Sequence, residues 1–531
     1  MQIVRIATGT NEAHSADLIG AKAANLERMA ALGLPVPPAF VLPITLCSAI
    51  LRSEPEAEKA LVKGLEEGIA YLEEATGRRF GDHRHPLLIS VRSGAARSMP
   101  GMLETVLDVG CTPSVVLGLV RQTGHPRFAW DCRCRFLDSY ADVVLGLDQA
   151  LLRKRRDQIM AEEGVLDAGD LDSEALERLA GAYLQVIESN GGFIPEEPMR
   201  QVEAAARMVF GSWESDKAKT YRKLEHLEAL GGTAVTVQAM VFGNVGLTSG
   251  AGVAFSRDPS TGAATPVIDV LFESQGEDVV SGRRTPEPEA ALARTVPAAA
   301  KELVATLARL EQAFGDVQDV EFTIENGKLW FLQTRSAKRT PAAALRFAVA
   351  FVKEGLITPK EALQRLENID FTRDIEHLAN QRLSAVGEPV GHGTGASTGV
   401  AIGRAAFDST SAQRLAKAGD PVILLRPEIS TADVAGFAAS AGIVTAVGGR
   451  TAHAALVARQ LGKPCLVGCA GLNVDVAGHT ARLHDLPIKE GDWLSIDGGA
   501  GTIFSGRGKL LIDRPEAELS EIARWKESVP A

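Results

Sequence analysis

Between residues 15 and 33, SADLIGAKAANLERMAALG, apolar side chains return every three or four positions. The run ends at Gly33, ahead of the proline-rich exit PVPPAF. This spacing predicts a helix with one buried face, closed by a residue that turns left-handed at no steric cost. Residues 87–110 predict a short apolar strand, LLISV, and then a polar, glycine-rich loop, RSGAARSMPGMLET. Residues 128–190 are mostly helical by period, and their charged run RKRRDQ reads as a solvated helix face. From residue 233 the period drops to two. TAVTVQAMVFGN, GAGVAFSRDP and PVIDVLFES then predict successive strands separated by turn residues. In KELVATLARLEQAFG the residues Leu303, Leu307, Leu310 and Phe314 share one helical face, and Gly315 stands at its end. DVQDVEFTIENGKLWFLQTR predicts a hairpin turning at Asn326-Gly327.

Residues 340–385 read as a further helical stretch, and a Gly/Ser/Thr-rich segment at 391–405 marks the edge of a compact α/β domain. That domain reads as strand PVILL, helix TADVAGFAAS, strand GIVTAV, a glycine pair, and a helix carrying His453. It continues through CLVG and DWLSIDGGAGTIFSG. The last twenty residues are polar and helical, with no core of their own, and no solenoid repeat is present. The fold class expected is α/β and α+β multidomain.

Composition narrows the function classes. A chain of 531 residues exceeds one ordinary core and implies two to four domains. Apolar residues at 45% and charged residues at 23% describe a globular protein rather than a disordered one. A net charge of −11 disfavours a general nucleic-acid or anionic-membrane binder, while a local basic pocket stays compatible. The N-terminal residues lack a basic segment followed by a long apolar run, so neither signal peptide nor membrane span is expected and the location expected is cytoplasmic. The six cysteines, Cys47, Cys111, Cys132, Cys134, Cys465 and Cys469, form no paired CxxC framework and read as reduced thiols. Cys132 and Cys134 lack the second ligand pair that a zinc site needs.

Three places could carry chemistry. Alternation along the hairpin puts Asp319 and Glu321 on one face and Val320, Phe322 and Ile324 on the other, with Gln333 on the return strand. Such a carboxylate pair is either an ordinary polar face or a Mg²⁺ site, because hard cations choose oxygen ligands. The loop RSGAARSMPGM offers glycines that let backbone amides approach an anion, and Arg92 and Arg97 add charge. It is neither a Walker A motif nor GxGxxG. In GGRTAHAALVARQLGKPC a histidine, His453, follows two glycines at the start of an alanine-rich helix. It is either a structural cap or a nucleophile, whose phosphoryl group a helix N-terminus would stabilise. The same positive end disfavours imidazolium and keeps the ring nucleophilic.

Eight stretches in order make the chain resemble the pyruvate phosphate dikinase family over nearly its whole length. They are LIGAKAANLERMAALGLPVPPAF, SVRSGAARSMPGMLETVLDVG, RFAWDCRCRFLDSYADVV, VQAMVFGNVG, GVAFSRDPSTG, QGEDVVSGRRTP, DVQDVEFTIENGKLWFLQTRSAKRT and GGRTAHAALVARQLGKPC. PEP synthase shares the architecture, but SMPGM, DPSTG and QGEDVVSGRRTP resemble the dikinase branch. The resemblance implies an ATP-grasp nucleotide-binding domain over residues 1–340 with a helical insert at about 130–200. A helical linker at 341–388, a swivelling phosphohistidine domain at 389–510 and a tail at 511–531 would follow. It implies that Lys22 and Arg92 grip ATP phosphates and that Gln238 and Glu277 belong to the nucleotide cleft. Asp319, Glu321 and Gln333 would line the metal–phosphate region beside Arg335, with Asp319 and Glu321 holding Mg²⁺. His453 would be the phosphorylated histidine, and Thr451 matches a threonine regulated by phosphorylation in plant members.

The implied reaction uses ATP and orthophosphate, forms phosphohistidine and releases AMP and pyrophosphate. Two positions depart from the family pattern: Ala452 stands where serine is usual, and Arg450 where methionine is usual. The C-terminal pyruvate/PEP barrel of the family, a fold of about 250 residues, has no counterpart here beyond ELSEIARWKES, which resembles its entry. The expected final acceptor is therefore pyruvate held by a separate PEP/pyruvate-binding domain or chain, and an oligomer is compatible. Three alternatives stand beside this reading. They are a PEP-synthase-like enzyme, an antibiotic-type small-molecule phosphotransferase, and a catalytically idle regulatory homologue. The short helical stretch between the two modules argues against the second, and the intact Lys22, Arg92, Glu321 and His453 set against the third.

Overall fold

A computed structural model describes every residue except 1, 98, 100–103, 225, 283, 370, 372–377, 385–386, 429–432, 452 and 529–531. Of residues 224, 380, 434, 453 and 454 it describes the backbone. The loop residues 98 and 100–103, the first residues of TADVAGFAAS and the Ala452 departure thus lie outside the described residues. The chain divides into two compact units. The first comprises Met1–Ser249 with Thr323–Thr334, and the second Gly250–Phe322 with Arg335–Ala531.

The first unit is built on a five-stranded antiparallel sheet in the order Val4–Ile6, Ala39–Leu42, Thr233–Ala239, Ile89–Ala95, Thr105–Val109. The helix Pro55–Thr76 starts with proline in its first turn and stops at Gly77, φ 67°. Its Leu61, Leu65, Ile69 and Leu72 are buried in a large core with Phe40, Ile89 and Val91. The helices Pro126–Val143, Gln149–Glu163 and Ser173–Ser189 extend that core through Phe136, Leu137, Leu152 and Leu179. Arg153, Lys154 and Arg155 of the basic run are exposed, as the helical period requires.

The helix over 15–33 forms with one departure from its periodicity. Ser15 caps Ala16–Ala31 by accepting from Asp17 N–H, but the backbone breaks at Gly20, φ 80° and ψ 153°. A Cβ at Gly20 would lie 2.1 Å from the carbonyl oxygen of Gly94. Only glycine lets the helix rest on the strand Ile89–Ala95, and the break puts Lys22 in the first turn of the segment that resumes. Gly20→Ala is expected to lower the unfolding midpoint, since the backbone conformation alone costs about 1–3 kcal/mol before the clash is counted. Urea unfolding of the variant checks this; an unchanged midpoint would contradict the close approach.

In the second unit, Gly250–Phe255 pairs antiparallel with Val267–Phe272, in a sheet that continues into the base of the hairpin Gln318–Glu325 and Lys328–Ser336, whose residues 323–334 belong to the first unit. Asn326 and Gly327 turn that hairpin with φ of 49° and 79°, the left-handed pair that Asn-Gly favours. The helix Pro297–Phe314 buries Leu303, Leu307 and Leu310 and ends at Gly315, φ 67°. A second sheet of eight strands has Val400–Ala406, Val422–Arg426, Gly442–Thr445 and Cys465–Val467 in parallel order at its centre. The helix His453–Gln460 is the crossover between the last two of these strands. The C-terminal helix Glu516–Ser528 has no core of its own: Ile522 and Trp525 share one with Leu345 and Phe351 of the helix Pro341–Lys353.

All six cysteines are free and buried. Burial pushes the Cys465 and Cys469 thiols up to about 12 and the Cys132 and Cys134 thiols well above their ordinary range. Among the described residues no helix is long and apolar enough to cross a membrane.

Candidate functional site

The expected site residues gather as two sets, one in each unit. In the first unit, Ser90 pairs with Gln238 and Arg92 with Thr236 across neighbouring antiparallel strands. Paired residues share a face, so Arg92, Thr236 and Gln238 project to the same side. A Cβ at Gly94, two residues beyond Arg92, would meet Gly20 Cα at 3.9 Å and Thr236 Oγ1 at 3.9 Å. This is therefore the face covered by the helix that carries Lys22. Gln238 is 4% exposed, and its Nε2 donates to Pro37 O at 3.2 Å. Gln333 is buried on the hairpin's return strand. That strand runs beside the same helix, because Asn25 Nδ2 donates to Thr334 O at 2.9 Å. Lys22 thus sits on the helix that covers the face of Arg92 and Gln238, and the strand of Gln333 runs beside that helix. Arg97, also a candidate cation, is exposed in the loop that follows.

The second set lies at the base of the hairpin. Asp319 and Glu321 share a face as alternation requires, but Asp319 is 2% exposed and not part of a solvated surface. Arg335 Nε donates to Asp319 Oδ2 at 2.8 Å, and its Nη2 lies 3.9 Å from Glu321 Oε1. Asp319 Oδ1 is buried without a hydrogen-bond partner. Burial raises the Asp319 carboxyl, and the Arg335 charge only partly offsets it. Burial also opposes the Arg335 charge, but the two carboxylates outweigh it and hold the guanidinium above its ordinary range. Glu277 stands exposed in the first turn of the helix Gly276–Ser281, which a Gln275–Asp278 capping box starts. It belongs to this unit rather than to the set around Lys22.

The histidine loop is fixed in the second unit as well. Thr451 donates to Asp269 Oδ2 twice, from its N–H and its hydroxyl, each at 3.1 Å. A Cβ at Gly449 would meet Asp269 Oδ2 at 2.7 Å and Pro286 Cγ at 2.5 Å. The small residue therefore admits a strand carboxylate and a proline ring. Burial raises the Asp269 carboxyl against the opposing charge of Arg450, so the arginine that replaces the usual methionine has a local partner. His453 follows as the first residue of its helix. Arg459, six residues on, is 1% exposed and donates from Nη1 to Arg450 O at 2.8 Å.

Sequence reasoning missed Thr236, Asp269 and Arg459. Thr236 Oγ1 is buried without a hydrogen-bond partner beside Arg92 and Gln238. Alternation from Gln238 would have found it. Asp269 is the charged residue in an otherwise apolar strand, VIDVLF, and Arg459 is the arginine in the buried-face pattern ALVARQ. Both departures from pattern were visible.

Residues 56–297 and 288–353, together more than half of the chain, match the family described as "Pyruvate phosphate dikinase, AMP/ATP-binding domain". The chain belongs to the pyruvate phosphate dikinase family. Residues 418–501, which include His453, match "PEP-utilising enzyme, mobile domain". The pyruvate, phosphate dikinase of Clostridium symbiosum is 40% identical over 506 residues, covering 95% of this chain and 57% of the relative. The chloroplastic enzyme of Flaveria pringlei is 40% identical over 517 residues, 96% of this chain and 54% of its own length. Pyruvate, phosphate dikinase 2 of Zea mays is 40% identical over 518 residues, 97% and 58% respectively. The chain thus spans a little over half the length of these relatives. The resemblance seen in the motifs is the family relationship, and the mixed multidomain fold joins a nucleotide-binding module to a PEP-utiliser module.

Proposed function

We propose that this chain catalyses the ATP- and orthophosphate-dependent half-reaction of a dikinase and stores the product as phosphohistidine at His453. The observation that carries the reading is the anchoring of the His453 loop, through Thr451 and Asp269, in the same unit as Asp319, Glu321 and Arg335. In the proposed sequence a ring nitrogen of His453 attacks the β-phosphorus of ATP. The bond from that phosphorus to the α-phosphate bridging oxygen breaks, and AMP leaves. An orthophosphate oxygen then attacks the γ-phosphorus of the pyrophosphorylated histidine. The β–γ bridge breaks, pyrophosphate leaves, and one phosphoryl group stays on His453.

Lys22 and Arg92 are assigned to the ATP phosphates, with Gln238, Glu277, Gln333 and Arg335 as further nucleotide and phosphate ligands. Asp319 and Glu321 fit Mg²⁺, because a buried carboxylate oxygen without a partner beside a second carboxylate is the donor set a hard cation takes. Bound there, the metal would neutralise charge building on the transferring phosphoryl oxygens. The module boundaries proposed are those of the resemblance, 1–340, 341–388, 389–510 and 511–531, with the linkers at their edges carrying the swing of the histidine module away from the nucleotide. Thr451 is proposed as a regulatory position, since a phosphate on its hydroxyl would meet the Asp269 carboxylate that the hydroxyl now bonds. Pyruvate, bound by a further domain or chain, is the proposed acceptor. Six free, buried cysteines fit a reducing compartment, and the cytoplasm is the proposed location.

Orthophosphate decides between this reading and a PEP-synthase-like one. With ATP and Mg²⁺ present, labelled orthophosphate is expected to appear in pyrophosphate, and net AMP formation is expected to need it. AMP formed at full rate without orthophosphate, and no labelled pyrophosphate, would assign the chain to the water-using branch.

A further inference from the structure

Arg459 is a buried cation without an ion-pair partner among the described residues. Its side chain is 1% exposed, and the guanidinium lies 5.2 Å from the ring centroid of Phe255. One nitrogen is fully used: Nη1 donates to Ala396 O at 2.9 Å and to Arg450 O at 2.8 Å. The other two, Nε and Nη2, are buried and have no acceptor. These two N–H groups form the side-on edge of the guanidinium, the fork that fits two oxygens of a phosphate or carboxylate. A buried charge with an unfilled fork is costly unless an anion arrives to fill it.

The surroundings say where that anion would sit. Asp319 is the foremost charge supporting the Arg459 cation against its burial. Asp319 in turn has one oxygen taken by Arg335 and the other, Oδ1, unfilled. An unfilled carboxylate oxygen and an unfilled guanidinium edge are therefore both buried in the second unit, on residues whose charges act on one another. A metal-bound phosphate would satisfy both groups, the carboxylate oxygen suiting the cation and the two-donor fork suiting the phosphate oxygens. Phe255 closes one face of the guanidinium and leaves its edge as the polar route.

We propose that Arg459 is an anion-binding residue of the phosphotransfer site. Its Nε/Nη2 edge takes two oxygens of the phosphoryl group passing to His453, while Nη1 holds the Arg450 carbonyl and so fixes the loop that presents the histidine. The identity of the anion rests on the proposed half-reaction. The fork itself rests on the geometry of Arg459.

The test compares the full chain with Arg459→Met and Arg459→Lys in two arms. The first needs no turnover: Mg²⁺ and inorganic pyrophosphate are added and thermal unfolding is followed. Pyrophosphate is expected to raise the midpoint of the unaltered chain, and Arg459→Met is expected to lose half or more of that shift, each shift being taken from the protein's own ligand-free midpoint. The second arm measures single-turnover labelling from ATP carrying a labelled β-phosphate. Arg459→Met is expected to label about 100-fold more slowly at saturating ATP, the usual loss for one oxyanion donor. The ATP concentration for half-maximal rate should change little, and Arg459→Lys should recover part of the rate. A full pyrophosphate shift in Arg459→Met would overturn the proposal, as would labelling at the unaltered rate. Should the methionine variant not fold, the lysine variant decides, because an ammonium has no two-donor edge and must show a reduced shift. If the unaltered chain takes no label from ATP, the half-reaction fails, and the pyrophosphate arm still decides the role of Arg459.

Discussion

Asparagine at position 453 is expected to abolish transfer of the β-phosphoryl group of ATP to the chain, a loss of at least about 1,000-fold. Asparagine keeps a polar side chain of similar reach but has no nucleophilic nitrogen. Neither the Thr451–Asp269 bonds nor the Arg459–Arg450 bond uses the imidazole, so the loop keeps its anchors. The unfolding midpoint should consequently stay close to that of the unaltered chain. The measurement is intact mass together with acid and base stability of the label, since phosphohistidine is acid-labile and base-stable. Acid-labile label retained by a folded His453→Asn protein would mean that another nucleophile carries the chemistry.

The histidine helix also shows how far sequence reaches. The period of 3.6 in the helices over 15–33 and 301–314, the period of two in the strands from residue 233, and the Asn326-Gly327 turn are local signals, and each element forms where its signal lies. The pairing of Asp319 and Glu321 on one face follows from the same alternation. What the pattern does not carry is contact between distant segments. Gly20 reads as a tolerated glycine in a helix until Gly94, which no periodicity links to it, comes within reach of its missing Cβ. Gly449 reads as one of a pair of loop glycines until Asp269, from a distant strand, comes within reach of its missing Cβ. Arg459 stands out in the sequence only as an arginine on a buried-face pattern, and its unfilled edge appears only with the fold. Positions whose meaning depends on a partner far along the chain are the ones that sequence leaves open.

Glu321 and Asp319 look alike in sequence, and their surroundings give them different work. Asp319 is the structural partner of Arg335, bonded at 2.8 Å and nearly inaccessible. Glu321 lies 3.9 Å from the same guanidinium, with 23% of its side chain exposed. An ion pair of that length and exposure contributes at most about 1 kcal/mol. Arg335 keeps Asp319 when Glu321 loses its charge, so Glu321→Gln is expected to fold with a midpoint within about 3 °C of the unaltered chain. The same change removes one of the two carboxylates that fit Mg²⁺. Labelling of His453 from ATP should then fall by about 100-fold or more, the scale on which losing one preorganised electrostatic group slows transfer. Raising Mg²⁺ should recover part of the loss, because Asp319 still offers Oδ1 to a weakly held ion. Titration of the labelling rate with Mg²⁺ in both proteins measures this directly. A folded Glu321→Gln chain that labels at the unaltered rate and with the unaltered Mg²⁺ dependence would remove Glu321 from the metal site. It would leave the hairpin face to Arg335 and Asp319 as a purely structural pair.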